Sequence, residues 1–116
     1  MMKNEVKNKD YLQRKPLRNQ NVLWAQDSKN NVTIKIENTG FFNKVAQKIF
    51  KKPKTSYIYL DENGSFLWEL ADGEKTIIEL GVLLKEEFGE NAEPLYERLV
   101  KYFLILESYR FIEFRD

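Results

Sequence analysis

Tyr57 and Tyr59 stand two residues apart in the run Thr55-Ser56-Tyr57-Ile58-Tyr59-Leu60. An extended chain therefore puts both rings on one face and Ile58 and Leu60 on the other. Further on, Leu95, Leu99, Tyr102 and Leu106 recur at helical spacing, with Tyr96, Val100 and Phe103 beside them and Leu104 at the outer edge. That apolar arc is wider than the roughly 100° a surface helix needs to reach one core. A strand with amphipathic rings and a helix with surplus apolar face support recognition by contact: a groove beside Thr55 to Leu60 that receives a partner peptide. The alternative is cover from within the chain, by the stretch around Phe41 to Phe50 or by the terminal strand. Each tyrosine taken singly is ordinary strand composition.

Catalytic chemistry has little to work with. Histidine and cysteine are absent from the 116 residues, which excludes thiol nucleophiles, disulfides, a histidine general base and the usual zinc or iron–sulfur ligand sets. The chain has no glycine loop to cradle phosphate and no metal-ligand cluster. No spacing among the carboxylates, lysines and tyrosines singles out an acid–base pair. The expectation is a protein that binds without catalysing and carries no cofactor.

The elements that must position these residues are legible from pattern. Val22-Leu23-Trp24-Ala25-Gln26, the turn formers Asp27 to Asn31, and the strict alternation Val32-Thr33-Ile34-Lys35-Ile36-Glu37 read as a β-hairpin with one buried face. Phe41, Phe42, Val45, Ala46, Ile49 and Phe50 gather on one helical face opposite Lys44, Lys48 and Lys51, giving a short basic amphipathic helix that ends at Pro53. It is read as packing on its own domain and not as a membrane anchor. Thr55 to Leu60 is a third strand. Asp61 caps a helix whose Phe66, Leu67 and Leu70 face inward and which Asp72-Gly73 closes. Thr76 and Glu79 form a capping box before a helix with the stripe Ile77, Leu80, Leu84 and Phe88, stopping at Gly89. A third helix starts near Asn91 to Pro94 and runs to about Glu107, and Arg110 to Phe114 can add a final strand.

Composition bounds the whole. With 42% hydrophobic and 14% aromatic content, the chain builds one core: a mobile tail at residues 1–10 and a single domain at residues 11–116. No apolar run is long enough to span a membrane and no signal pattern opens the chain, so the cytoplasm is the expected compartment. Residues 1–54 carry 13 Lys/Arg against 4 Asp/Glu, a balance of +9, and residues 55–116 carry 6 against 14, a balance of −8. The halves either neutralise each other within the fold or leave a basic surface for an acidic partner.

The stretch Leu60-Asp61, Gly64, Leu67-Trp68, Asp72-Gly73, Thr76, Leu84, Phe88 and the close from Phe103 to Ile112 resembles, in order and spacing, the hallmark segment of the PqqD family. The likeness covers roughly residues 55–114. The resemblance implies an α+β fold, winged helix-turn-helix-like, with an N-terminal three-stranded antiparallel sheet packed on a three-helix bundle. Relative to a minimal member, the basic helix between strands two and three is an insertion. It implies a peptide-binding chaperone that holds the leader of a ribosomally made precursor peptide for a modifying enzyme such as a radical-SAM maturase. The leader adds as a β-strand to the third strand and settles against the third helix, so the implied contacts are Thr55, Ser56, Tyr57, Ile58, Tyr59, Tyr96, Leu99, Val100 and Phe103. A charged residue at Val100 or Phe103 is expected to abolish binding and spare the fold. Trp68 is read as packing. A winged-helix DNA-binding role is the alternative, opposed by Glu93, Glu97 and Glu107 on the third helix, where phosphate contacts want cations. A general interaction adaptor is another. No specific nucleic acid and no membrane are expected as partners, and the protein is a monomer or homodimer.

Overall fold

A computed structural model describes residues 10–37 and 55–115. The expected tail and the expected helix over Phe41 to Phe50 lie outside the described residues, apart from Asp10, which is helical together with residues 11 and 12.

The strands are β1 (Lys15–Arg18), β2 (Leu23–Gln26), β3 (Val32–Glu37), β4 (Thr55–Tyr59) and β5 (Ile112–Arg115). The helices are α1 (Glu62–Leu70), α2 (Ile77–Phe88) and α3 (Leu95–Ser108), with a 3-10 turn at Gly89–Ala92. The mixed α+β class stands. The expected three-stranded antiparallel sheet is present as β2, β3 and β4 in that order, and β1, which was not expected, pairs with β5 in a second sheet.

Asp27 builds the β2–β3 turn by accepting from the backbone N–H of Lys29 at 2.8 Å and of Asn31 at 3.0 Å. Asn30 takes φ 66°, a left-handed conformation that asparagine tolerates better than most residues. The β3 alternation holds: Val32, Ile34 and Ile36 are buried, and Trp24 and Ile58, their partners across the strands, lie on the same inner face.

β1 has no hydrophobic alternation in its sequence, and distant segments make it a strand. Lys15 to Arg18 pairs with Arg115 to Ile112 on one side. On the other side Arg18 N–H donates to Ala71 O at 3.0 Å and Gly73 N–H to Pro16 O at 2.9 Å. Because residues 16 and 18 face the Ala71–Gly73 side, Lys15 and Leu17 face β5 and Pro16's missing N–H breaks no bond of that ladder. Gly73 has φ 81°, and a Cβ there would meet Arg115 Cδ at 2.6 Å, which is why glycine stands in the turn that follows α1.

The helices begin and end as their signals indicate. Asp61 accepts from Gly64 N–H at 2.7 Å. Thr76 and Glu79 exchange both capping bonds, at 2.8 and 3.1 Å. At the end of α3, Phe111 N–H reaches Leu106 O and Arg110 N–H reaches Glu107 O, both at 2.9 Å, with Arg110 at φ 62°, a Schellman close that buries Phe111 against the helix. Trp68 is fully buried and meets Trp24 edge-to-face at 6.1 Å, as its reading as a packing residue requires.

Candidate functional site

The geometry begins where β4 meets α1. Leu60 N–H donates to Val32 O at 2.9 Å, but the return bond is replaced. Val32 N–H donates instead to the Ser65 hydroxyl at 2.7 Å, and that hydroxyl donates on to Leu60 O at 3.3 Å. A buried serine of α1 thus closes the ladder. Because Leu60 faces β3, so do Ile58 and Ser56, and the backbone N–H and C=O groups of Thr55, Tyr57 and Tyr59 face the opposite edge. Among the described residues no strand pairs with that edge. The side chains of Tyr57 and Tyr59 are 53% and 76% exposed and lie 6.5 Å apart at 28°, on the outer sheet face with Lys35 directly opposite Tyr57.

α3 sits where α2 lets it. A Cβ on Gly81 would meet Leu99 Cδ1 at 2.6 Å, so the two helices touch at a bare backbone and Leu99 sinks into the core. Leu95, Leu99, Phe103 and Leu106 are buried. Tyr96, Leu104 and Ile105 are exposed and Val100 is half-buried. A groove of about 560 Å³ runs along this outer side, lined by Leu12, Tyr96, Glu97, Val100, Lys101, Leu104 and Ile105. Its walls are apolar, with Glu97 and Lys101 as the charges on its rim.

The positions expected to contact peptide therefore divide. Tyr57 and Tyr59 offer backbone edge and rings, Thr55 offers backbone, and Tyr96 and Val100 line the groove. Ser56 and Ile58 turn both backbone and side chain inward, so they hold β4 in place. Leu99 and Phe103 are corrections: they are 1% and 0% exposed and present no surface to a ligand. Phe103 was read as part of the surplus arc, whereas it belongs with the core stripe. Tyr102, read as core stripe, is only half-buried. Its hydroxyl donates to Gly64 O at 2.6 Å, tying α3 to the start of α1, where β4 ends. Burial first, and then the nearby Asp61 charge, raises the Tyr102 phenol well above its ordinary range. Leu12, Leu104 and Ile105 were missed as groove residues. Leu104 and Ile105 had a signal, two adjacent apolar residues that one narrow stripe cannot hold, but Leu12 had none.

No group of three or more Asp and Glu is arranged to hold a metal among the described residues, and no helix there is long and apolar enough to cross a membrane. Fold and site define a class: a small α+β domain with an uncharged strand edge that is unpaired among the described residues and an apolar helix groove. The chain belongs to the PqqD family, for a family model described as coenzyme PQQ synthesis protein D (PqqD) matches residues 47–112, more than half its length. Membership implies involvement in the biosynthesis of PQQ or of other ribosomally made, modified peptides. No curated protein and no solved structure matches the chain.

Proposed function

We propose that this protein is a non-catalytic peptide chaperone that binds the leader of a ribosomally synthesised precursor and presents it to a modifying enzyme, a radical-SAM maturase among the candidates. The observation that carries the reading is the outward edge of β4, where the N–H and C=O groups of Thr55, Tyr57 and Tyr59 face away from β3 in a chain that belongs to the PqqD family. Strand addition there supplies affinity through main-chain bonds, and pockets for alternate side chains supply selectivity. The groove along Tyr96, Val100 and Leu104 is the apolar surface that α3 offers for such pockets, and no residue of β4 lines it. The winged helix-turn-helix-like arrangement belongs to the same reading, with α2 and α3 as the helix pair and β1–β5 as the wing. A cytoplasmic setting, where precursor and maturase meet, completes it.

The test is an amide-shift NMR titration with leader peptides from short precursor-like reading frames near the gene. Shifts should concentrate on residues 55–60 and 96–105. Tyr57→Pro removes one outward N–H and leaves the β3 ladder whole, so it should weaken binding with the fold intact. A leader whose backbone is N-methylated at alternate positions should bind in one phase of methylation and fail in the other. Saturating leader without shifts at β4 sinks strand addition.

A further inference from the structure

A single helix is convex, so α3 cannot make a groove by itself. Of the described residues that line the groove, six belong to α3 and the other is Leu12. Leu12 comes from the short helical turn before β1 and is the second wall. Its side chain is buried in the core cluster, so its position follows from whatever holds that turn. The turn's own backbone bonds are internal: Gln13 N–H donates to Asp10 O at 3.2 Å and Arg14 N–H to Tyr11 O at 3.1 Å. Its hold on α3 is made by side chains that converge on Glu107. The Tyr11 hydroxyl donates to Glu107 Oε1 at 3.4 Å, and the Arg14 guanidinium lies 3.8 Å from Glu107 Oε2. The same guanidinium lies over the Phe114 ring at 4.0 Å, and Tyr11 meets that ring edge-on at 5.4 Å. Residues 11 and 14 are thus pinned to one carboxylate and one ring, with Leu12 held between them.

We propose that Leu12 determines which side chains of a bound peptide the α3 groove accepts, and that Glu107 is the positioning residue that holds Leu12 in place. The occupant is an apolar side chain, because Leu12, Tyr96, Val100, Leu104 and Ile105 form the walls while Glu97 and Lys101 are exposed charges of opposite sign at the rim. This rests on the reading that the groove serves the leader, and it deepens that reading by naming the side-chain class and the residue that selects within it. A wall supplied by one residue is a selective element: shortening it widens the groove without touching α3. A methylene in an enclosed apolar pocket discriminates by about 10-fold or more, and an open groove by about threefold.

Methyl NMR of the full chain, titrated with N-acetyl-leucinamide and with N-acetyl-tryptophanamide, tests this. Neither probe has a strand to add to β4, so both report on the groove alone. Shifts should fall on the methyl groups of Leu12, Val100, Leu104 and Ile105. Leu12→Ala should move the ratio of the two affinities toward the tryptophan probe by about threefold. The milder Leu12→Val should move it the same way by less, and it serves alone where Leu12→Ala does not fold. Glu107→Ala should move the ratio in that direction too, although Glu107 does not line the groove. Glu107→Gln, which can still accept from Tyr11, should move it less. Probes that shift no groove methyl overturn the proposal, as does a ratio that Leu12→Val and Glu107→Ala leave unchanged. A leader that shifts β4 while neither probe reaches the groove sinks this inference and leaves strand addition standing. Probes that obey the Leu12 series, beside a saturating leader that leaves β4 unshifted, do the reverse.

Discussion

Ser65 shows how much one hydroxyl can decide. It is a buried polar side chain of the core, and it accepts the Val32 N–H that the end of the β3–β4 ladder leaves over. Ser65→Ala leaves that N–H buried and unpaired, which costs about 1–3 kcal/mol. The urea midpoint should fall by that amount with an unchanged slope, and amide exchange should quicken first at Val32 and Leu60. Arg18 does comparable work at the other end of α1, donating to the carbonyls of Trp68 at 2.7 Å and Glu69 at 2.6 Å, where the helix dipole favours a cation. Asp61, Thr76 and Glu79 were legible as caps because a cap and the N–H it serves are three residues apart. Ser65 and Arg18 were not, since their partners lie elsewhere in the chain and no local pattern points to them.

At the scale of elements, α3 is the instructive case. Its stripe was legible, but its boundary was drawn on the wrong side of Phe103, because helical spacing gives the width of an apolar arc and not how much of it the neighbours cover. Gly81 lets α2 approach so closely that Leu99 is closed over, and Phe103 is fully buried as well. Phe103→Glu should therefore unfold the domain, since an unpaired carboxylate in the core costs several kcal/mol against a total of roughly 5–15 kcal/mol. Leu104→Glu, on the groove, should shift the urea midpoint by less than about 1 kcal/mol and still lower leader affinity. Val100→Glu should behave like Leu104→Glu, with a somewhat larger stability cost because Val100 packs against the core from outside. Equal unfolding of Leu104→Glu and Phe103→Glu would contradict the division. The β2–β3 hairpin, β4, α1 and α2 follow local pattern closely. β1 does not, because its bonding partners are β5 and residues 71–73.

For the whole molecule, pH reads the balance of the fold. Backbone N–H groups hold two carboxylates below their ordinary values: that of Glu74 at Asp72, which Lys75 reinforces, and that of Thr76 at Glu79. Lys85, and then the Leu95 N–H, does the same for Glu93. Each stays ionised in the folded chain at a pH where the unfolded chain has begun to bind protons. Their stabilisation is present above the ordinary values of 3.8 and 4.5 and is lost as pH falls through the lowered ones. Tyr11 and Tyr102 run the other way. Burial first raises both phenols, with Glu107 adding to the effect at Tyr11, so the unfolded chain loses these protons near 10.0 while the folded one keeps them. Their stabilisation is full below that value and is lost as pH rises beyond it. Without histidine or cysteine to titrate between, urea midpoints measured against pH should form a broad plateau falling at both ends. A step near neutral pH would contradict this assignment.

By itself the sequence determined the mixed α+β class, the hairpin, the helix caps, the lack of histidine and cysteine chemistry and the likeness to the PqqD family. All of these are set by residue type or by spacing within a few positions, where sterics and hydrogen-bond reach act locally. Only the tertiary structure decided that Lys15 to Arg18 is a strand, that Ser65 closes the ladder, that Leu99 and Phe103 are core while Leu104 and Ile105 line a groove beside the buried Leu12, and that the outward edge of β4 has no strand partner among the described residues. These depend on which distant segment lies against which, and burial and hydrogen-bond satisfaction are properties of the packed chain, fixed when the elements meet.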